Sequence, residues 1–293
     1  MSLPRIAPYT LPTAAALPAN RVAWRPDPAR CALLIHDMQD HFLRAFDRDA
    51  SPIPEMMSNI SALAERCRAL GVPVVYSAQP GGQTLEQRGL LQDFWGDGIA
   101  AGPEGQAIVP EVAPGPDDTV LTKWRYSAFV RTELDELLRA RGRDQLLIVG
   151  VYGHIGCLMT ACHAFMQEVQ PFLLADAIAD FSADDHARAL EWAAARCAVV
   201  TTTVATLTDL RAPASLTRAR VAGDILGALD DAPAVLLGGD DLMDLGLDSI
   251  AVMGLLTAWR EAGADVSFED LAEVEPTLDA WWSVIGSRVP VTA

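Results

Sequence analysis

Six short apolar runs, spaced so that helical patterns fall between most of them, constrain this chain more than any other feature. The first is Cys31-Ala32-Leu33-Leu34-Ile35-His36, and the second is Val72-Pro73-Val74-Val75-Tyr76. Thr119-Val120-Leu121-Thr122, Gln145-Leu146-Leu147-Ile148-Val149-Gly150, Phe172-Leu173-Leu174-Ala175 and Ala198-Val199-Val200-Thr201 complete the set. A run that is apolar throughout suits a strand buried on both faces, as in a parallel sheet covered by helices. Helical patterns at 55–70, 128–141, 157–169 and 183–196 supply those covers. The expectation is an open parallel α/β sheet, Rossmann-like, with helices on both faces. In such sheets the site lies beyond the carboxyl ends of the strands. That rule points to Asp37, Gln79, Lys123 and the turn from Val151 to Gly156, each just past a strand.

The last quarter of the chain has another character. Residues 219–293 hold 14 acidic side chains against 3 basic ones, a net of −11 out of −17 for the whole chain. Three helical patterns run through it: Val221-Ile225-Leu226-Leu229, a second after Ser249, and Leu278-Trp281-Trp282-Ile285, with a short Phe268–Leu271 turn before the third. The second pattern follows Gly246-Leu247-Asp248-Ser249. Asp248 or Ser249 can cap it, because each has an oxygen able to accept from the first free N–H groups of a helix. Ile250, Met253 and Leu256 recur at helical spacing, with Val252 and Leu255 close by. A serine there is exposed, and the positive end of the helix dipole favours a phosphodiester on it.

At 293 residues and 51% hydrophobic, the chain is long enough for two domains. The expected division is an α/β domain over 1–210, a linker over 211–218 containing Pro213, and a small all-α helix bundle over 219–293. A net charge of −17 argues against nucleic acid or an anionic membrane as partner. The five cysteines are odd in number and form no Cys-x-x-Cys pair, which suits a reduced, cytoplasmic protein. Met1 to Asn20 has four prolines and no apolar run long enough for a signal peptide or membrane span. It is expected to be an extended arm over the surface or a partner subunit.

The acidic helical segment, with its Gly-Leu-Asp-Ser, Asp265-Val266-Ser267-Phe268 and Pro276-Thr277-Leu278, resembles an aryl or peptidyl carrier domain. The resemblance implies 4′-phosphopantetheine on Ser249, added by a phosphopantetheinyl transferase. The front of the chain resembles the isochorismatase branch of the cysteine-hydrolase superfamily from about residue 3 to 210. The likeness is carried by Leu34-Ile35-His36-Asp37-Met38-Gln39, Gln79-Pro80, Arg88-Gly89-Leu90-Leu91 and Phe94-Trp95-Gly96. It continues through Lys123-Trp124-Arg125-Tyr126-Ser127-Ala128-Phe129, Gly150-Val151-Tyr152-Gly153-His154-Ile155-Gly156-Cys157 and Ala179-Asp180-Phe181-Ser182. Joined, the two halves resemble the bifunctional isochorismatase/aryl carrier proteins of catechol siderophore pathways.

That resemblance implies hydrolysis of the vinyl ether of isochorismate to 2,3-dihydro-2,3-dihydroxybenzoate and pyruvate. It also implies carriage of an aryl acid, 2,3-dihydroxybenzoate, as a thioester on the modified Ser249. Further partners would be an aryl-adenylating ligase and the condensation domain of a peptide synthetase, with a homodimer formed through the α/β domain. The superfamily's amidohydrolases use an Asp, a Lys and a Cys, and the Cys belongs where this chain has Gly156. Cys157 comes one residue late, and one residue turns a side chain about 100° around a helix. Vinyl ether cleavage needs a general acid beside carbon rather than a thiol. Asp37 is expected to be that acid, with Lys123 and Arg88 receiving substrate carboxylate or ether oxygen and Gly156 leaving room for the ether. Gln79 is expected to orient water or a hydroxyl, while Phe42, Trp95, Tyr126 and Tyr152 contact the substrate ring. The Val151–Tyr152 peptide is expected to be cis. His36, His154 and His163 form no spaced ligand set, so no catalytic metal is expected. Two alternatives are an amidohydrolase using Cys157 and a carrier joined to an inactive scaffold. Met253, Phe268 and Ala272 are expected either to face partners around the tether or to fill the helical core.

Overall fold

A computed structural model describes residues 4–210, 216–229 and 231–288. The chain divides into two compact units, Met1–Leu210 and Arg211–Ala293. In the first, six strands form one sheet: β1 (Cys31–His36), β2 (Val74–Ala78), β3 (Thr119–Thr122), β4 (Gln145–Val151), β5 (Gln170–Ala179) and β6 (Val199–Thr201). The order is β3-β2-β1-β4-β5-β6, and every neighbouring pair is parallel. The order reverses between β1 and β4, so their carboxyl ends open a crevice there.

Alternation within β1 shows why an unbroken apolar run is needed. Cys31, Leu33 and Ile35 enter one core, and Ala32 and Leu34 the other. The first core is closed by α2 (Ile53–Ala69), whose Ile53, Met56, Met57, Ile60, Leu63, Ala64 and Cys67 are all buried at helical spacing. The second is closed by α5 (Leu134–Ala140), α6 (Leu158–Met166) and α7 (Ala183–Arg196). The remaining helices of this unit are short: α1 (Asp40–Leu43), α3 (Leu85–Arg88), α4 (Leu91–Trp95) and α8 (Thr203–Asp209).

Several boundaries differ from the sequence pattern for local reasons. The helix expected over 128–141 begins only at Leu134. Before it the backbone is turned, with Arg131 at a φ of 61° and the Ala128 N–H bonded to Thr160 Oγ1 at 3.0 Å. The helix expected from 157 is preceded by a π-helical turn, Gly153–Cys157. β5 is ten residues long rather than four. Its register jumps between Ile148 and Gly150, so that Gly150 and Val151 pair with Ile178 and Ala179. The jump carries Asp180 and Phe181 to the same end as the β4 turn. Gly150 has a φ of 109°, and a Cβ there would stand 2.9 Å from the His36 backbone nitrogen. Glycine lets β1 and β4 approach at this point. The N-terminal arm packs on its own unit: Ile6 is buried, its N–H reaches Ala45 O at 2.8 Å, and Tyr9 hydroxyl meets His186 Nδ1 at 3.1 Å.

The second unit has α9 (Arg218–Gly227), α10 (Ser249–Glu261), α11 (Phe268–Ala272) and α12 (Leu278–Ser287). Val221, Ile225, Val252, Leu256, Trp259, Leu278, Trp281 and Ile285 fill its core. Each such side chain contributes about 1.5–3 kcal/mol by burial. Trp259 and Trp281 meet edge to face at 6.3 Å, and Trp259 Nε1–H donates to Asp224 at 3.0 Å. The linker expected over 211–218 is too long at its far end: Leu216 is buried in this core, Thr217 caps α9, and Arg218 is already helical. Positions 211–215 lie outside the described residues. No helix among the described residues is long and apolar enough to cross a membrane.

Candidate active site and attachment serine

The crevice between β1 and β4 holds a cavity of about 310 Å³. Asp37, Lys123, Gly156, Phe42, Gln79, Arg88, Trp95, Tyr126 and Tyr152, all expected at the site, line it together. Asp37 follows β1 directly, at a φ of 50°. Its carboxylate accepts from Ser77 Oγ–H at 2.7 Å through Oδ1, and from Gln79 Nε2–H at 3.1 Å through Oδ2. Lys123 Nζ lies 2.9 Å from that Oδ2 and donates to Arg125 O at 2.7 Å. Asp37 is 4% exposed and Lys123 2%, so the pair is almost fully withdrawn from water. Burial pushes the Asp37 carboxyl up, but the Lys123 charge and the Ser77 hydrogen bond outweigh it and hold the pKa below the usual carboxylate range.

Arg88 is buried, and its Nε–H donates to Gly96 O at 3.0 Å. Among the described residues its guanidinium has no ion-pair partner. Burial, then the charge of Arg125, push its pKa down. A cation facing a cavity without a paired anion is a ready place for a carboxylate. The apolar walls are tied to one another. Trp95 Nε1–H donates to Tyr126 hydroxyl at 2.7 Å, and Tyr152 hydroxyl donates to Phe42 O at 2.7 Å. The Val151–Tyr152 peptide is cis, as expected.

Further residues reach the site for which the sequence offered no site role, although Asp180 and Phe181 stand in one of the motifs that carry the resemblance. Ser77 falls just past the Val72–Tyr76 run, but it belongs to β2, which extends to Ala78. Phe181 arrives through the β5 register jump and meets Tyr152 at 4.6 Å between ring centres. His41 and Ile99 line the cavity from a short helix and a loop, where no periodic signal marks them. Asp180, fully buried, anchors the π-helical turn by accepting from the His154 N–H and ring. Gly156 also needs a changed account. The space over it is filled by the His36 ring, so glycine accommodates a protein side chain rather than simply leaving room for an ether.

Cys157 does not line the cavity; it sits at 0% exposure in the core against α6 and α7. Burial, with Asp180 and Asp37 adding to it, pushes its thiol well above the ordinary value, opposite to what a nucleophile needs. His154 and His163 have other work, on Asp180 and on Ser127 Oγ at 3.1 Å. Among the described residues no group of three or more His, Cys, Asp or Glu is placed to hold a metal ion.

In the second unit, Gly246 turns at a φ of 95° and Leu247 plugs into the core. Asp248, rather than Ser249, caps α10, its Oδ1 accepting from the Ala251 N–H at 2.8 Å. Ser249 is left exposed at the first helical position, and its hydroxyl has no partner among the described residues. Such a hydroxyl suits a phosphodiester link, with the helix N-terminus beside it. The surface nearby departs from the sequence pattern. Ile250 is 82% exposed and Met253 51%, because the buried face of α10 is Val252, Leu255, Leu256 and Trp259. Phe268 and Ala272 are exposed too, so Met253, Phe268 and Ala272 are not core residues.

Fold and sites together define an α/β protein with a catalytic crevice, joined to a helical carrier domain. The isochorismatase domain family matches residues 31–205, and the phosphopantetheine attachment site family matches residues 220–282. The chain is 47% identical to the isochorismatase of Bacillus subtilis (strain 168), across 98% of this chain and 96% of that one. It is 43% identical to enterobactin synthase component B of Escherichia coli (strain K12), across 99% and 100%. Among solved structures, a cysteine hydrolase from Pseudomonas syringae pv. phaseolicola superposes with a TM-score of 0.59 at 25% identity, covering 66% of this chain and 97% of that one. The chain belongs to the isochorismatase family and carries a phosphopantetheine attachment domain.

Proposed function

We propose that the first unit hydrolyses isochorismate to 2,3-dihydro-2,3-dihydroxybenzoate and pyruvate, and that Ser249 carries an aryl acid on 4′-phosphopantetheine for siderophore synthesis. The observation that carries the first half is Asp37, seated between Lys123, Ser77 and Gln79 at the base of an aromatic cavity that also holds the unpaired Arg88. Asp37 gives its proton to the terminal methylene carbon of the vinyl ether, whose π electrons form the new C–H bond. The resulting oxocarbenium ion is captured by water, oriented by Gln79, and the proton of that water returns to Asp37. The hemiketal then collapses: its hydroxyl proton passes to the ring oxygen, the C–O bond breaks, and pyruvate leaves.

Lys123 alone would keep Asp37 ionised. The substrate brings two carboxylates into the cavity, and their charge raises the carboxyl pKa by the same physics with opposite sign. Arg88 and the remaining donor capacity of Lys123 receive those carboxylates. Ser77 helps in both states, because a hydroxyl that donates to a carboxylate can rotate and accept from a carboxylic acid. Pyruvate release from isochorismate tests the reading. If Asp37→Asn retained near-full kcat, Asp37 would not be the acid.

Phosphopantetheine supplies a thiol on a long flexible arm, where an acid can be held as a thioester. Ser249 holds the phosphate, Asp248 keeps the helix end ordered, and Ile250, Met253, Phe268 and Ala272 offer an apolar face around the tether to partner enzymes. Those partners are a phosphopantetheinyl transferase, an aryl-adenylating ligase and a synthetase condensation domain, in the cytoplasm. The chain acts as a homodimer through the α/β unit, measurable by light scattering. Incubation with coenzyme A and a transferase raises the intact mass by one phosphopantetheine, and Ser249→Ala abolishes the gain.

A further inference from the structure

His36 ends β1 at 1% exposure, lines the cavity beside Asp37, and has no part in the chemistry above. Its Nδ1 lies 2.8 Å from Val151 O and its Nε2 3.3 Å from Tyr126 O. Carbonyl oxygens only accept, so a neutral ring places its proton on Nδ1, against the nearer carbonyl. Burial lowers the imidazole pKa, in keeping with that neutral ring. The same Nδ1 is 3.8 Å from Asp37 Oδ1.

The ring lies directly over Gly156. A Cβ at that position would stand 2.8 Å from His36 Nε2 and 2.9 Å from Nδ1, and closer still to Cε1. Such approaches require something to move, and the ring is held by the Val151 bond inside a closed part of the crevice. Position 156 belongs to the π-helical turn and lines the cavity together with Asp37, so a side chain there would start from the cavity wall and run against the His36 ring.

We propose that His36 is a specificity-determining residue: its imidazole occupies the volume that a side chain at 156 would need, so the wall facing Asp37 can offer no nucleophile. Water is then the acceptor that remains, and the site is confined to acid-catalysed hydrolysis. The inference rests on the hydrolytic reading above.

A double-mutant cycle on the full chain tests it, with His36→Val, Gly156→Cys and both together. Gly156→Cys alone is expected to lower the urea midpoint and to cost about a hundredfold in kcat for pyruvate release, because a displaced wall misplaces the substrate. Adding His36→Val is expected to bring the midpoint back to that of His36→Val alone. Native alkylation with iodoacetamide should then label the double variant once more than His36→Val. Gly156→Cys with unchanged midpoint and kcat, or strictly additive midpoints, overturns the pairing. If Gly156→Cys does not fold, folding of the double variant supports the pairing and its failure overturns it. The stability readout needs no isochorismate. Coupled midpoints in a chain that releases no pyruvate would therefore sink the hydrolytic reading alone, and additive midpoints in an active enzyme would sink the pairing alone.

Discussion

Replacing Lys123 by Met removes the cation from a carboxylate that is 4% exposed, and the consequence should depend on pH with a reversed sign. In the natural chain the Asp37 pKa is depressed. A depressed carboxylate contributes stability above its unfolded pKa, and that contribution is lost as pH falls through the folded pKa. This places the wild-type loss below the usual carboxylate range and leaves stability flat through neutrality as far as Asp37 is concerned. In Lys123→Met the leading influence left is burial, which raises the pKa. The variant then binds a proton more tightly folded than unfolded, and its stability falls as pH rises past the carboxylate range. Breaking a buried pair costs about 3–5 kcal/mol when the orphaned charge must stay ionised. Each unit of pKa shift is worth about 1.4 kcal/mol, so acidification should recover the loss at up to that amount per pH unit. Urea denaturation of both chains at a series of pH values from acid to neutral gives the variant-minus-wild-type difference, in which the helical unit cancels. A difference that stays constant across the series would refute the claim that Lys123 sets the charge state of Asp37.

Arg88→Met should raise KM for isochorismate more than it lowers kcat, with a stability loss of about 1–3 kcal/mol from the hydrogen bond to Gly96 O rather than from any ion pair; steady-state pyruvate release separates the two constants. Asp248→Ala should destabilise the helical unit by about 1 kcal/mol through loss of the α10 cap, read by thermal unfolding monitored by circular dichroism. Leu256→Ala should cost about 2–5 kcal/mol in the same measurement. Met253→Asp, at a half-exposed position, should change stability by only about 0.5 kcal/mol while impairing aryl transfer to the synthetase and sparing isochorismate cleavage. A large loss of stability from Met253→Asp would restore it to the core.

The sheet was readable in the sequence because strands buried on both faces leave unbroken apolar runs, and the residues just past them fall at one edge by topology. The strand pattern alone therefore places Asp37, Gln79, Lys123 and the 151–156 turn together. What stayed hidden depends on contacts between distant segments. The β5 register jump brings in Phe181, which stood in the Ala179-Asp180-Phe181-Ser182 motif but was given no place at the site, because nothing in Phe172-Leu173-Leu174-Ala175 signals the jump. Ser77 lies one residue past the Val72–Tyr76 run, where no apolar pattern marks it, yet its hydroxyl is bonded to Asp37. In α10, Ile250, Met253 and Leu256 fit a helical stripe as well as Val252, Leu255, Leu256 and Trp259 do, and only the position of α9 and α12 decides which is buried. The helix expected at 128 begins at 134, where tertiary bonds to Thr160 and the turn at Arg131 override local propensity.

The division of labour between Asp248 and Ser249 has a consequence for traffic along an assembly line. The aspartate already satisfies the helix end, so the serine oxygen owes nothing to the fold. Once the phosphodiester is in place, loading the arm and emptying it again should leave the bundle equally stable. A downstream enzyme would then have to sense cargo at the tip of the arm, since the protein body would look the same whether the carrier is vacant or charged.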